Sequence, residues 1–522
     1  MILSSGRMSK ITMNKHKILL GTSLWALAGL TLVAQPVLTQ QLTSQGELKW
    51  NDVSSPFVQV NSYTIEWASR LGTTQTVWTP LSVIPASNSS YSVDVPQFYR
   101  LRANIEGRFP KLKIAVMSDL HYFEPSLLVR DGTAFQTYLA ADRKLLKESQ
   151  AILDQMVTEI RQAQPNIVLV SGDLTKDGEQ ICHQGVINRL QQLKAGGAQV
   201  FVIPGNHDIN NPHAVSFDGN TVTPVPSVSP DEFIALYAEF GYGSALARDP
   251  NSRSYVAEPT PGLWLLAMDA CHPERNTNGS PFVGGYFDTP RLTWISNQLA
   301  AARSQGKYVL GMMHPGLQEH FAGQKMLFPD YVLNDYQAVA QLFARFGMEV
   351  VFTGHYHAQD VVKANVSQGA LYEVETGSAV TFPCPYRLLS LETGGTLAIT
   401  SHPITTINYD LGGVAFPTYA SNYLYSGLLG VSTYMLMQPP YNLPQANAQF
   451  LAPAMTEAFV SHYQGDEGSR PISPQTQGII AYLRSLNDPM SQLMANVLMA
   501  VFTDLPPADN NLIINLITGA VQ

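Results

Sequence analysis

Apolar, β-branched residues gather in five short runs, and each run ends in residues of a different chemistry. Lys113-Ile114-Ala115-Val116-Met117-Ser118 leads into Asp119, Ile167-Val168-Leu169-Val170-Ser171 into Gly172 and Asp173, and Val200-Phe201-Val202-Ile203 into Gly205. Farther on, Lys307-Tyr308-Val309-Leu310 precedes His314, and Glu349-Val350-Val351-Phe352-Thr353 precedes His355. Such runs predict strands buried on both faces, as in a parallel sheet, which delivers site residues at its carboxyl edge. Between them, apolar positions recur at helical spacing over Asp142–Ala163, over Arg291–Arg303 behind Thr289-Pro290, and over Asp335–Phe346. Alternating strand and helix predicts an α/β core.

The pattern changes on either side of this core. From Gly46 to Asn104, Tyr63–Trp67 and Tyr91–Val95 alternate apolar and polar residues and Phe98–Leu101 forms a further short run, which predicts a small β-sandwich with Trp50, Trp67 and Trp78 inside it. Beyond about Asn408, helical spacing over Ala452–His462, Thr476–Leu486, Pro489–Phe502 and Asn511–Val521 predicts a helical accessory domain (408–522), leaning on the core and able to flank its cleft. The first 34 residues carry Arg7, Lys10, Lys15 and Lys17, no acidic residue, and an apolar run from Ile18 to Ala34, the pattern of a secretory signal. Export to the periplasm or the medium follows, with an uncleaved membrane anchor as the alternative; the run is near the lower limit for a membrane span, and Gly21, Thr22, Ser23 and Gly29 weaken it.

At 522 residues, 45% hydrophobic and 14% charged, the chain has the length for about three domains. Its net charge is −9; without the leader's four cations, 27 basic residues face 40 acidic ones, a net of −13. That balance repels a nucleic-acid polymer and favours a small phosphoester held at short range by metal charge. Cys182, Cys271 and Cys384 allow at most one disulfide.

The five run ends read Asp119-Leu120-His121, Gly172-Asp173, Gly205-Asn206-His207-Asp208, His314 and Gly354-His355-Tyr356-His357. Carboxylate, imidazole and amide oxygen without a nearby thiolate suit Mn, Fe or Zn. Two such ions about 3.5–4 Å apart can polarise a phosphoryl oxygen and generate a nucleophile near neutral pH. A shared carboxylate would hold that spacing, and Asp173 is the natural candidate.

In this order the segments resemble the calcineurin-like metallophosphoesterases, over roughly residues 111–405. The resemblance implies a four-layer α/β/β/α sandwich and puts Asp119, His121, Asp173 and His357 on one metal and Asn206, His314 and His355 with the bridging Asp173 on a second. It implies attack by a metal-bridging hydroxide, with His207 contacting the phosphate or protonating the leaving oxygen and Asp208 orienting His207. Purple acid phosphatases, a branch of this superfamily, have a Tyr ligand three residues after the bridging Asp; Lys176 stands there, against that branch. Ser118–Tyr122, Gly172–Glu179, Pro204–Pro212 and the stretch from Ser229 to Gly243 are similar to bacterial class III cyclic nucleotide phosphodiesterases with an extra C-terminal domain.

Of the other histidines, His183 reads as part of a solvated helix face, with a place just behind the ligands as the alternative, His213, His272 and His320 lie in loops able to border the site, and His16, His402 and His462 carry no functional pattern. The irregular stretches 211–230 and 271–282 are equally suited to shaping access and to covering surface. Hydrolysis of 3′,5′-cyclic nucleotides is the leading expectation. Other phosphodiesters or phosphomonoesters would use the same residues, and a non-catalytic surface-binding protein with a vestigial site is the alternative of another class. The oligomeric state is left open.

Overall fold

The computed structural model describes residues 40–42, 47–50, 58–68, 79–92, 98–107, 109–140, 142–277, 279–439 and 441–522. The expected leader, residues 1–34, lies outside them. No helix of the described residues is long and apolar enough to cross a membrane.

Two mixed seven-stranded sheets form the centre. The first runs, edge to edge, Gln199–Val202, Ile167–Val170, Leu112–Met117, Pro385–Leu391, Thr396–Pro403, Asn511–Asn515 and Ala520–Val521; its first three strands are parallel and the others antiparallel. The second runs Ala247–Arg248, Tyr255–Thr260, Leu263–Met268, Tyr308–Met313, Val350–Thr353, Tyr372–Glu375 and Asp360–Lys363, with four parallel strands in its middle. All five apolar runs of the sequence are among the parallel strands, fully buried at nearly every position.

Side-chain alternation along these strands sets the layers. Leu263, Leu265 and Ala267, with Leu310, Met312, Val350 and Phe352, join the core that also contains the first sheet. Their neighbours Trp264, Leu266, Met268, Val309, Met313 and Val351 point the other way, against helices Thr289–Ser304 and Tyr336–Phe346. Helices Ser149–Ala163 and Gln180–Ala195 cover the far face of the first sheet through Ile152, Met156, Ile160, Val186 and Leu190. The result is a mixed α/β fold consistent with the four-layer sandwich that the resemblance implies.

Three sequence expectations change here. The helix expected from Asp142 begins at Ser149: Leu145 and Leu146 are buried in a turn, Leu145 N–H donates to the Val380 carbonyl, and Asp142, Arg143 and Lys144 are turned toward a cavity instead. The expected helix Asn511–Val521 is a strand pair. Leu512 and Ile514 are buried while Asn511 and Ile513 are exposed, a two-residue period that so short an apolar run does not distinguish from a helical one. Conversely, Phe416–Met437 is a 22-residue helix in a stretch that reads as Tyr- and Pro-rich.

Helices Phe416–Met437, Gln445–Tyr463, Pro474–Ser485 and Pro489–Val501 build their own apolar core, which includes Phe321, Tyr356 and Ala358 of the α/β part. At the other end of the chain, two three-stranded antiparallel sheets occupy the region expected as a sandwich. Trp50 is buried there, 5.3 Å from the Tyr63 ring; the side chains of Trp67 and Trp78 lie outside the described residues.

Candidate metal centre

The carboxyl ends of five parallel strands, three from the first sheet and two from the second, converge on one point. Asp119 follows Leu112–Met117, Asp173 follows Ile167–Val170, Asn206 and His207 follow Gln199–Val202, His314 follows Tyr308–Met313, and His355 and His357 follow Val350–Thr353. Asp119, His121, Asp173, His355 and His357 all have positive φ, between 37° and 81°. Non-glycine residues held in the left-handed region are costly and collect at functional sites. Two motif glycines make room for the carboxylates. A Cβ on Gly205 would come within 2.0 Å of Asp173 Oδ1, and one on Gly354 within 2.3 Å of Asp119 Oδ2.

Asp173 Oδ2 is the hub. It stands 3.6 Å from His121 Nε2, 3.2 Å from His314 Nε2 and 4.0 Å from His207 Nε2. On one side, His357 Nε2 lies 3.2 Å from His121 Nε2 and 3.3 Å from Asp119 Oδ1. On the other, Asn206 Oδ1 lies 3.2 Å from His314 Nε2. Asp119, His121 and His357 could hold one ion, and Asp173, His314 and His355 another.

Hydrogen bonds around these groups fix which atoms face inward. His314 Nδ1 meets the Ser171 carbonyl at 2.8 Å, leaving Nε2 for the centre, and His355 Nε2 meets the Asp330 carbonyl at 3.1 Å, leaving Nδ1. Ser118 Oγ and the His355 N–H donate to Asp119, and the His207 N–H donates to Asp173. Burial holds His121 and His357 below the ordinary imidazole pKa and pushes His355 to about 3, so these rings are neutral donors. Burial opposes charge on His314 as well, yet Asp173 and Asp119 beside it raise its pKa to about 10. Imidazoles facing carboxylates, with ring nitrogens aimed at one another, fit a cation between them.

His207 is the partly exposed member, its side chain 21% accessible. Its Nδ1 donates to the Lys176 carbonyl at 2.7 Å and to Asp177 Oδ1 at 2.9 Å. Asp177, rather than the expected Asp208, therefore orients this ring. Asp208 spends its carboxylate on the backbone N–H groups of Gly205, Leu174 and Thr175 and on the Thr175 hydroxyl, bracing the two loops that carry Asp173 and Asn206. Burial and Lys144 disfavour protonation of His207, but Asp173 and Asp177 outweigh them and raise its pKa. Lys176 points away from the centre into an ion pair with Asp177 and Glu179.

A cavity of about 450 Å³ opens over Asp173, Asn206, His207, His355 and His357. Arg143 and Lys144 line it, as do Tyr331, Tyr356, Leu428, Met435, Phe459 and Tyr463, so the C-terminal helices supply part of its wall. Sequence reasoning missed these residues, because helical spacing absorbed Arg143 and Lys144 and nothing in the helices marks a substrate wall. The stretch 211–230 forms a hairpin elsewhere, and His213 is exposed. Three further histidines are buried away from the cavity, and of these His183 departs from the solvated helix face expected of it. His183 is buried between Tyr237 and the Asp208 carbonyl, His272 is buried against Tyr286, and His320 is buried beside carboxylates.

Residues 112–359 match the family model described as calcineurin-like phosphoesterase. Among solved structures, a dimetal phosphatase from Danio rerio aligns at 16% identity and a TM-score of 0.40, over 56% of this chain and 97% of the other. A Thermus thermophilus protein aligns at 10% identity and 0.32, over 56% and 99%, and a phosphopantetheinyl hydrolase from Mycobacterium tuberculosis at 13% and 0.27, over 51% and 90%. No curated protein matches the chain. Residues 112–359, just under half of the chain, are thus the part that is similar to the calcineurin-like phosphoesterases.

Proposed function

We propose that this protein is an exported, dinuclear metal-dependent phosphoesterase that hydrolyses phosphodiesters, with 3′,5′-cyclic nucleotides as the leading substrates. In this reading Asp119, His121, Asp173 and His357 hold one ion and Asn206, His314 and His355 the second, with Asp173 shared. The observation that carries it is Asp173 Oδ2, within 3.6 Å of a ring nitrogen on each side. When bound, two such ions would polarise the phosphoryl group and lower the pKa of water.

The remaining steps belong to the chain's own groups. His207 reaches into the cavity with Nδ1 fixed by Asp177 and the Lys176 carbonyl, so Nε2 is free to carry a proton to the leaving oxygen. Arg143 and Lys144 bring positive charge to a non-bridging phosphate oxygen. The aromatic and aliphatic wall favours a phosphodiester with a flat apolar group over a bare phosphate, because burying such a surface adds affinity that a phosphomonoester lacks.

The test is hydrolysis of bis(p-nitrophenyl) phosphate, p-nitrophenyl phosphate, cAMP, cGMP and 2′,3′-cAMP with Mn²⁺ and with chelator. Chelator-sensitive diester hydrolysis that includes cAMP supports the reading. Preference for the monoester converts it to a phosphatase, and inactivity on all five with two metals bound overturns it.

A further inference from the structure

A second group of histidines and carboxylates lies buried where the α/β part meets the C-terminal helices. His320, Glu373 and Glu375 are each 0–1% exposed, and Asp360, His462 and Glu467 each 1–3%. His320 Nε2 is 2.9 Å from Glu375 Oε2 and 3.4 Å from Glu373 Oε1, while His320 Nδ1 is 3.4 Å from Asp360 Oδ2. Asp360 Oδ2 in turn lies 3.8 Å from His462 Nδ1, which pairs with Glu467.

Each of the two strand carboxylates has one oxygen satisfied by hydrogen-bond donors and one that lacks a well-formed hydrogen bond. Glu373 Oε1 accepts from the Leu317 N–H and the Thr353 hydroxyl, and Glu375 Oε1 from the Ala358 N–H. Glu373 Oε2, Glu375 Oε2 and both ring nitrogens of His320 have no well-formed hydrogen bond among the described residues. Buried polar atoms go without partners at a cost of about 1–3 kcal/mol each, more if charged. Four carboxylates here, Asp360, Glu373, Glu375 and Glu467, exceed the compensating charge even with both imidazoles protonated and Arg387 nearby. Arg387 itself donates to the backbone carbonyls of Asp360, Glu375 and Asp509.

We propose that His320 Nε2, Glu373 and Glu375 form a structural site for a divalent cation of the zinc class, distinct from the catalytic centre. Tetrahedral ligands at about 2.0–2.1 Å from an ion are about 3.3 Å apart, which the observed 2.9–3.4 Å brackets. Two carboxylates and an imidazole select such an ion over calcium, which favours six to eight oxygens. Asp360, facing His320 Nδ1, is placed to turn Nε2 toward the ion, the carboxylate–histidine relay typical of metal sites. His462 and Glu467 extend that relay into the helical region, so the ion would fasten the helices that wall the substrate cavity.

The experiment uses the full chain carrying Asp119→Ala, Asp173→Ala and His314→Ala, which removes ligands from both candidate sites of the open centre, stripped with chelator and titrated with Zn²⁺ against a chromogenic competitor. One equivalent is expected. Glu375→Gln and His320→Gln, each added to that chain, weaken it at least about 100-fold, and Asp360→Asn about 10–100-fold, the range for a residue acting through a ligand. Metal analysis of the otherwise unmodified chain is the second measurement, immune to folding failure of any variant: three ions are expected against two. A folded chain that takes up no zinc after Asp119→Ala, Asp173→Ala and His314→Ala, two ions in the unmodified chain, or uptake that survives both Glu375→Gln and His320→Gln overturns the site.

Discussion

The two buried histidine–carboxylate clusters are built from the same residue types and differ in what surrounds them. Around Asp173 the candidate ligands hang from strand ends, five of the seven in the left-handed backbone region, with Asp119 and Asp173 packed against glycines and the partly exposed His207 facing a cavity of about 450 Å³. Around His320, Glu373 and Glu375 belong to the strand Tyr372–Glu375 itself, and none of His320, Asp360, Glu373, Glu375, His462 and Glu467 lines that cavity. Ligand chemistry alone therefore does not mark a reaction centre. Backbone strain, an opening cavity and a partly exposed imidazole set the first cluster apart, whereas the second is sealed.

The sharpest way to break the comparison is to remove the hub of the open cluster. Asp173→Ala is expected to release metal and abolish phosphodiester hydrolysis, read by metal analysis alongside turnover of bis(p-nitrophenyl) phosphate; retention of both ions would remove its bridging role. Next in size is His207→Gln, expected to lower kcat by about 10²–10⁴ while metal content stays unchanged. Parallel loss of metal would instead make His207 a ligand.

The open cluster was legible in the sequence because each of its residues follows a strand within a few positions, so five local patterns carry it. The fold of the core was legible for the same reason. What escaped was produced by long-range packing. His320 and His462 are about 140 positions apart, the first in an irregular loop and the second at the end of a run that reads only as helix, and the docking of helix Gln445–Tyr463 on the second sheet brings them to one carboxylate. Asp208, the residue after His207, looked like its partner, but the turn sends its carboxylate to three backbone amides and leaves the ring to Asp177, thirty positions earlier. Asn511–Asn515 was unreadable as a strand because its period becomes visible only when Leu512 and Ile514 pair with Thr396–Pro403.

Asp177→Asn sharpens the first half of the comparison. It keeps a hydrogen-bond acceptor but removes a negative charge that raises the His207 pKa. The protonated ring becomes less favoured, so the alkaline limb of kcat should move to lower pH, with a rate loss of about 10–100-fold. An unchanged pH profile would separate His207 from proton transfer. A smaller effect is expected from Tyr463→Ala in the cavity wall: KM for cAMP should rise about 3–10-fold, the worth of one aromatic contact, with little change for p-nitrophenyl phosphate. Equal changes for both substrates would mean that the helical region does not contact the leaving group or the base.

The smallest effect concerns the sealed cluster and is a matter of stability. Burial raises Glu375 to about 7, and the negative charges of Glu373 and Asp360 add to this against the opposing pull of His320. An acid whose folded pKa lies above its unfolded value binds more protons when folded, so it stabilises the fold at low pH and loses that contribution as pH rises from about 4.5 to about 7. Asp504, also raised to about 7 by burial, works in the same direction. Chelator-treated protein should therefore lose Tm across that window, by about 2–4 °C for each kcal/mol withdrawn. Zinc should cancel the loss, because a bound cation stabilises the ionised carboxylates and replaces the protons. Glu375→Gln, which has no proton to release, should flatten the pH dependence with or without zinc. A slope that zinc leaves untouched would make the cluster a proton-held ion-pair network, and the two clusters would then differ in cofactor as well as in surroundings.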